Sequence, residues 1–191
     1  MSAPSGEELR AMRLRVLEGG DSIEAEAGRH SLVELAAMLR STRGALQALV
    51  EGWTHEQLAF QPTLAEGVGE EDRWSATEAV THLIATQNWY RLHMGRLLGR
   101  REHFDLMPHG LGDLAQRDVA RDVLAAGLRE ATGRLLATIE AIPAEADLAA
   151  RRDSTFFGEL SLRGWVLLAI FHDLDHTTQI ERLTGLVGFP R

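Results

Sequence analysis

Four long stretches of the chain carry apolar residues at helical spacing, and none shows the sustained alternation that is typical of a strand. These stretches predict helices over residues 31–51, 74–100 and 113–142, and a fourth from Glu159 or Ser161 to Thr184. Each predicted helix has an apolar face that must be buried against another element. The pattern therefore predicts an all-α fold, a four-helix bundle.

The predicted helix starts come from capping signals. A serine, threonine or aspartate followed three residues later by Glu or Gln favours a capping box. This pattern occurs at Ser31 with Glu34, Thr54 with Gln57, Ser75 with Glu78, and Asp113 with Gln116. The Thr54 pair opens only a short turn of helix before Pro62, and Gly185 stands where the last helix is expected to end. The long connection from Glu102 to Gly112 would permit the second and third helices to run parallel.

The chain divides into three parts at this level. Residues 1–30 are predicted to form an N-terminal arm or short helix, with Glu7 to Glu18 as its helical part and the Gly19-Gly20 pair as its end. We expect this appended segment to lie outside the main core. Residues 31–185 form the bundle and residues 186–191 a C-terminal tail. A chain of 191 residues is long enough to bury a sizeable core.

Composition excludes several chemistries. The formal charge is −8, and all 20 basic residues are arginines, so no lysine is present for Schiff-base catalysis. The acidic balance argues against a nucleic-acid partner. Cysteine is absent, which excludes disulfides, thiolate ligands and a cysteine nucleophile. With no signal-peptide pattern and no apolar run of about 20 residues, we expect a cytoplasmic protein with no membrane segment.

Two histidines in the last predicted helix form the strongest chemical signal. His172 and His176 are one helical turn apart on an apolar face, and two imidazoles at this spacing can bind one divalent metal. A third ligand must come from upstream, and His82 on an apolar face of the second helix is the candidate. His93 lies about 16 Å further along the same axis, so His82 and His93 cannot both bind one metal.

Alternatives remain open for each of these residues. The histidine pair can instead be two hydrogen-bonded core residues without a metal. The zinc-peptidase motif needs Glu directly after the first histidine, and Asp173 stands there instead. Asp173 is a candidate to orient a histidine or to act as a base, or is simply a solvated carboxylate. Tyr90, the only tyrosine, is either a hydrogen-bond donor near the metal or a core-to-surface residue. The remaining histidines in polar segments, predicted to be ordinary surface residues, are His30, His55, His103 and His109.

Two motifs resemble those of a known family. Residues 74–83, WSATEAVTHL, resemble the W-S-x-x-E-x-x-x-H-L opening of the second helix in the DinB/YfiT-like superfamily. Residues 168–180 resemble its closing H-x-x-x-H-x-x-Q-I helix, and residues 54–62 its short linker. The resemblance covers residues 31–185. It implies an up-down-down-up bundle, a homodimer, and a divalent metal, zinc or nickel, held by His82, His172 and His176.

The resemblance implies one of several activities. Relatives include S-transferases that use small thiols such as bacillithiol or mycothiol, a thiol-dependent maleylpyruvate isomerase, and metal-dependent hydrolases. Our preferred prediction is a thiol-dependent S-transferase, in which a metal-activated low-molecular-weight thiol cosubstrate adds to an electrophilic small-molecule substrate, with Asp173 and Gln179 as assisting catalytic residues. The alternatives are a hydrolase that uses metal-bound hydroxide, and a non-catalytic metal-binding or dimerisation module. A structural zinc usually has four protein ligands, and the sequence offers three.

Overall fold

A computed structural model describes residues 4–63, 69–100, 115–154 and 156–191. Within these ranges the chain forms seven α-helices, a 3-10 turn at Glu71–Arg73 and one short β-hairpin. The helices are α1 Gly6–Glu18, α2 Ile23–Ala27, α3 Leu32–Gly52, α4 His55–Ala59, α5 Ala76–Leu97, α6 Arg121–Glu140 and α7 Leu162–Leu183. The all-α prediction is confirmed, with four long helices, α3, α5, α6 and α7, forming the bundle.

Capping explains where three of the predicted helices start. The side chains of Ser31, Thr54 and Ser75 each accept a hydrogen bond from a backbone N–H three residues on, and a Glu or Gln side chain bonds back in each case. These three capping boxes confirm the predicted starts of α3, α4 and α5. Ser161 caps α7 from its hydroxyl, so of the two expected starts, Glu159 and Ser161, the second is confirmed, with Leu162 as the first helical residue.

The predicted start of the third long helix is wrong. α6 begins at Arg121, although the sequence predicted a cap at Asp113, which lies outside the described residues. The segment before α6 is not helical and is instead hydrogen-bonded to α5. The backbone N–H of Gln116 donates to the Thr81 hydroxyl at 2.8 Å, and Arg117 pairs with Glu78 at 2.7 Å. These contacts hold residues 116 and 117 along the first turns of α5.

The loop predicted over residues 143–158 contains a small hairpin that the sequence did not indicate. β1 (Arg152–Asp153) pairs antiparallel with β2 (Glu159–Leu160), with Arg152 opposite Leu160. Each strand has only two residues, which is too short for alternation of apolar and polar residues to be visible. The hairpin leads directly into α7 through the Ser161 cap.

The directions of the long helices follow from contacts near their two ends. α7 runs parallel to α3 and antiparallel to α5, while α6 runs antiparallel to α3 and parallel to α5. For α3 and α7 the contacts are His30–Arg163 and Arg43–Asp173, and for α5 and α7 they are His93–Trp165 and His82–His172. For α3 and α6 they are Arg40–Glu140 and Glu51–Arg129. For α5 and α6 they are Arg91–Thr138 and, just before α6 begins, Glu78–Arg117. This is the up-down-down-up order.

The N-terminal segment packs on the bundle, although the sequence predicted that it would lie outside the core. The predicted helix is present as α1, and its buried face includes Leu9, Met12 and Val16. Ile23 and Ala27 of α2 are also buried in the same apolar cluster as the start of α7. Because α1 and α2 cover α7 from outside, the side of the bundle that they meet is closed to solvent.

Among the helices that the structure describes, none combines the length and the apolar composition that crossing a membrane requires.

Candidate metal centre

Three histidine side chains from α5 and α7 converge on one point. The Nε2 atom of His172 lies 3.1 Å from that of His82 and 3.1 Å from that of His176. All three nitrogen atoms lie within 4.8 Å of one another. His172 and His176 share one face of α7 because they are four residues apart, and the antiparallel packing of α5 brings His82 to the same level. The structure thus places the three predicted ligands together.

The spacing of these nitrogen atoms fits a common metal ion. Histidine nitrogen binds Zn²⁺ at about 2.0–2.1 Å, so two ligands of one centre lie about 2.9 Å apart at a right angle and about 3.4 Å apart in a tetrahedron. The observed 3.1 Å falls between these values. When all three Nε2 atoms carry lone pairs, these lone pairs repel one another unless a cation lies between them. The donor set suits zinc, nickel and other divalent ions that bind imidazole.

Two neighbouring side chains fix the orientation of His176. The Nδ1–H of His176 donates to the Gln179 side-chain oxygen at 2.7 Å, which leaves the Nε2 lone pair directed toward His82 and His172. The Trp74 ring stacks on His176 with centroids 5.8 Å apart and a 19° angle between the planes. The same indole contacts the His82 ring at 4.9 Å. Trp74 therefore covers two of the three imidazoles.

Burial keeps two of the imidazoles in the neutral form that binds metals. Burial lowers the pKa of His82 from 6.5 to about 4, and the nearby His176 adds to this effect. Burial also lowers the pKa of His172 to about 2, with further contributions from His176 and His82. A neutral imidazole offers a free lone pair at neutral pH, which is the state that coordination requires.

A cavity of about 460 Å³ opens onto the histidine cluster. His82 and His172 form part of its wall, and most of the remaining wall is aliphatic or aromatic. The wall residues besides these histidines are Leu17, Ile23, Glu71, Ala85, Thr86, Trp89, Tyr90, Phe156, Phe157, Leu168, Phe171 and Asp175. A volume of this size suits a small-molecule ligand.

A second cavity, of about 480 Å³, meets the cluster at His82 from another side. Its wall differs in character because most of it is charged. The residues that line it with His82 are Glu70, Glu71, Arg73, Trp74, Glu78, Ala115 and Arg117. His82 thus lies on the walls of both an apolar and a charged cavity, as built from the described part of the chain.

Comparison with known proteins agrees with this geometry. The family model of the DinB superfamily matches residues 38–180, which include all three histidines. The chain belongs to the DinB superfamily. No curated protein and no solved structure matches it significantly.

In this DinB protein the two predicted assisting residues have different surroundings. Gln179 contacts His176, and its amide N–H also donates to the backbone carbonyl of Glu71. Asp173 is fully buried and does not line the cavity, because its Oδ2 accepts a 2.6 Å hydrogen bond from Arg43 Nε in the bundle interior. Burial raises the pKa of the Asp173 carboxyl, and the Arg43 guanidinium opposes that rise. The structure brings Gln179 to the histidine cluster and directs Asp173 away from it.

The other candidate residues of this DinB protein are also accounted for. Tyr90 is buried on the cavity wall, with its ring 6.1 Å from that of His172. His93 lies apart from the cluster, where it stacks on Trp165 at 4.2 Å and accepts a hydrogen bond from Arg152. His30 pairs with Glu26 away from the site, and His55 is exposed. His103 and His109 lie outside the described residues.

Three contributions to the site were missed by reasoning from the sequence. The contact of Trp74 with the histidines was not predicted, because the sequence analysis used this residue only as part of a motif. Its position before the α5 cap, about two helical turns from His82, is a signal that could have indicated the contact. Glu71 was assigned to a loop, and no sequence signal marks it as a wall residue of both cavities. No sequence signal singles out Arg43, because the neighbouring Arg40, Ser41 and Thr42 are polar as well.

Proposed function

We propose that this protein is a metal-dependent S-transferase that joins a low-molecular-weight thiol to an electrophilic small molecule. The observation that carries the proposal is the convergence of the nitrogen atoms of three histidines, two of which line a largely apolar cavity. Three histidine ligands leave coordination positions open for a further ligand. A structural metal site would fill those positions with protein ligands.

The surroundings of the cluster favour a thiol over water as the nucleophile. Asp173, the predicted base for a water nucleophile, bonds to Arg43 and does not line the cavity, so the carboxylates left on the wall for that role are those of Glu71 and Asp175. Two cavities of different character meet at His82, which suits a reaction with two substrates. The charged cavity fits a thiol that carries amino and carboxylate groups. Because the chain has no cysteine, the thiol must be an external cosubstrate.

The reaction is a simple transfer of sulfur to carbon. The thiol loses its proton to solvent, and the sulfur lone pair forms the new bond to the electrophilic carbon. In a substitution the leaving group departs with its bonding electron pair. In an addition the neighbouring carbon takes up one proton instead. Neither form needs an oxidant or a reductant.

The residues of the chain have separate roles in this proposal. His82, His172 and His176 would hold the metal, which when bound lowers the pKa of a thiol and favours the thiolate. Gln179 positions His176, and Trp74 covers the imidazoles against bulk water. The apolar wall excludes water from the reacting carbon. Asp173 has no direct role in this proposal, since it contacts Arg43 rather than the cavity.

The finer attributes of the function belong to the same proposal. We propose zinc or nickel as the metal, since both bind imidazole well. We further propose that the protein acts in the cytoplasm as a homodimer. Elemental analysis identifies the metal, and light scattering on the purified protein gives the oligomeric state.

Thiol-dependent turnover of monochlorobimane tests the activity. The protein is loaded with zinc or nickel and assayed with and without a panel of small thiols. We expect turnover that requires both metal and thiol. The parent should bind about one equivalent of metal, and H172A/H176A should lose both the bound metal and the turnover. H55A is the control because His55 is an exposed histidine outside the cluster.

The same preparation discriminates the alternatives. Thiol-free cleavage of an ester such as 4-nitrophenyl acetate, lost in H172A/H176A, would replace the S-transferase with a hydrolase. Stoichiometric metal with no turnover of either substrate would favour a non-catalytic binding module. Equal metal content in the parent and the double variant would overturn the site itself.

A further inference from the structure

The wall of the apolar cavity includes residues that the DinB match does not reach. Leu17 at the end of α1 and Ile23 at the start of α2 both line the cavity, whereas the match begins at residue 38. Ile23 is buried, and Leu17 is 42% exposed at the edge of the cavity. The N-terminal segment therefore adds a wall to a site whose three histidines lie within the matched residues.

Ion pairs hold this added wall against α7. Arg10 pairs with Glu181 at 2.7 Å, and Arg13 pairs with Asp175, so α1 is joined to α7 at two places. α2 is held by the Glu24 carboxylate, which accepts a hydrogen bond at 2.8 Å from the backbone N–H of Ser161. The wall is thus a fixed part of the folded chain.

The cavity surface favours an uncharged ligand. Among the described residues no lysine or arginine lines it, and its only carboxylates are those of Glu71 and Asp175. In the proposed function the thiol occupies the open position of the metal on His82 and His172, so a second ligand with a negative charge would lose its hydration there without gaining a cationic partner. Aliphatic and aromatic side chains form most of the remaining wall, which rewards the burial of apolar ligand surface.

Exposed apolar side chains surround the mouth of the same cavity. Phe156 and Phe157, at the tip of the β1–β2 hairpin, are 82% and 45% exposed, and Leu17 lies on the same wall. Large apolar side chains left in water at the edge of a cavity are a frequent mark of a ligand site. They can be covered by an apolar molecule that reaches out of the cavity.

We propose that this cavity binds an apolar, uncharged small molecule, and that α1, through Leu17, together with the hairpin tip, through Phe156, determines which molecules fit. The inference rests on the proposed function, in which this molecule is the electrophilic substrate. The binding itself requires neither a thiol nor turnover. It is therefore measurable on its own.

Two dyes with the same aromatic scaffold test the proposal. N-phenyl-1-naphthylamine is uncharged, and 8-anilinonaphthalene-1-sulfonate differs by a sulfonate. Both brighten on entering an apolar site. We expect the uncharged dye to bind the full-length protein at least about tenfold more tightly than the sulfonate. This ratio corresponds to a difference of about 1.4 kcal/mol in binding free energy.

Matched variants locate the binding site. L17E places a carboxylate on the cavity wall and should weaken binding of the uncharged dye about tenfold. L14E is the control, because Leu14 is 46% exposed on the same helix and does not line the cavity. F156S is a second variant on a different element, with V33S as its control, since Val33 is 79% exposed away from the cavity.

The outcomes separate this inference from the proposed function. Equal dye affinities of L17E and L14E, together with equal affinities of F156S and V33S, would overturn it. So would binding of the sulfonate as tightly as the uncharged dye. If the protein shows no thiol-dependent turnover but the dyes bind as expected, the S-transferase proposal is rejected and the proposed apolar binding site is supported.

Discussion

Gln179 joins His176 to the 3-10 turn that carries Glu71. Its side-chain oxygen accepts a hydrogen bond from His176 Nδ1 at 2.7 Å, and its amide N–H donates to the backbone carbonyl of Glu71. One amide thus fixes both the tautomer of an imidazole and the position of a turn on the cavity wall. This makes Gln179 the clearest example in the structure of a residue that acts on the site through another residue.

Replacing Gln179 tests that relationship. Q179L removes the acceptor of the His176 Nδ1–H and should weaken zinc binding about 10–100-fold, as is common for groups that orient metal-bound histidines. Competition with a chromophoric chelator measures the affinity. Q179E keeps an acceptor oxygen and should retain affinity close to that of the parent. A loss of equal size in both variants would show that the hydrogen bond is not the cause.

The ion pair between Arg43 and Asp173 should be costly to break from one side only. Both side chains are almost fully buried, so R43M or D173N leaves an unpaired polar or charged group in the interior. Each single variant should lower the free energy of unfolding by about 3–5 kcal/mol. The double variant R43M/D173L removes both groups and should lose less than either. Urea denaturation measures all three, and a double variant as unstable as the sum would contradict this account.

His93 should make the stability of the protein depend on pH. Burial lowers the pKa of His93 from 6.5 to about 4, and the nearby Arg152 adds to this effect. Between these values the unfolded chain binds a proton that the folded chain does not, so stability falls as the pH falls from 6.5 toward 4. H93Q lacks this component. The difference in unfolding free energy between parent and H93Q should therefore shrink from pH 7 to pH 4.5. An unchanged difference would refute the role of His93.

Gly164 should tolerate a larger side chain less well than the helical glycines Gly44 and Gly133. A Cβ at this position would lie 2.5 Å from Glu24 Oε2 and 3.1 Å from Leu160 Cβ. G164A should displace Glu24 from the start of α7 and cost about 1–3 kcal/mol. G44A is the control, since a Cβ at Gly44 meets nothing within 4 Å, and it should stabilise α3 by about 0.5–1 kcal/mol. Changes of the same sign in thermal unfolding would contradict the close approach of Glu24.

Local signals in the sequence were sufficient for much of the fold. The capping pairs at Ser31, Thr54 and Ser75 place three helix starts, because the hydrogen bonds that form them involve residues only three apart. The predicted start of α6 is wrong because hydrogen bonds from Gln116 and Arg117 to residues of α5 hold this segment outside the helix. Local patterns cannot show a partner that is 35 or 39 residues away.

The same distinction holds at the candidate site. His172 and His176 share a helix, so their spacing alone predicts that they meet. His82 was placed with them by its apolar surroundings and by the exclusion of His93, and the antiparallel contact of α5 with α7 brings it there. Nothing local marks the burial of Asp173 against Arg43, because the side of α7 that faces α3 depends on packing.

Part of the cavity wall lies within the DinB match and part precedes it. A change in the metal ligands and a change in the N-terminal part of the wall are therefore separate changes. The three histidines lie between residues 82 and 176, whereas Leu17 and Ile23 precede the DinB match. Exchange of the first 30 residues for another segment would leave the ligand set intact and replace part of the surface that a substrate meets. A substitution in this segment would change which molecules fit without changing any of the three histidines.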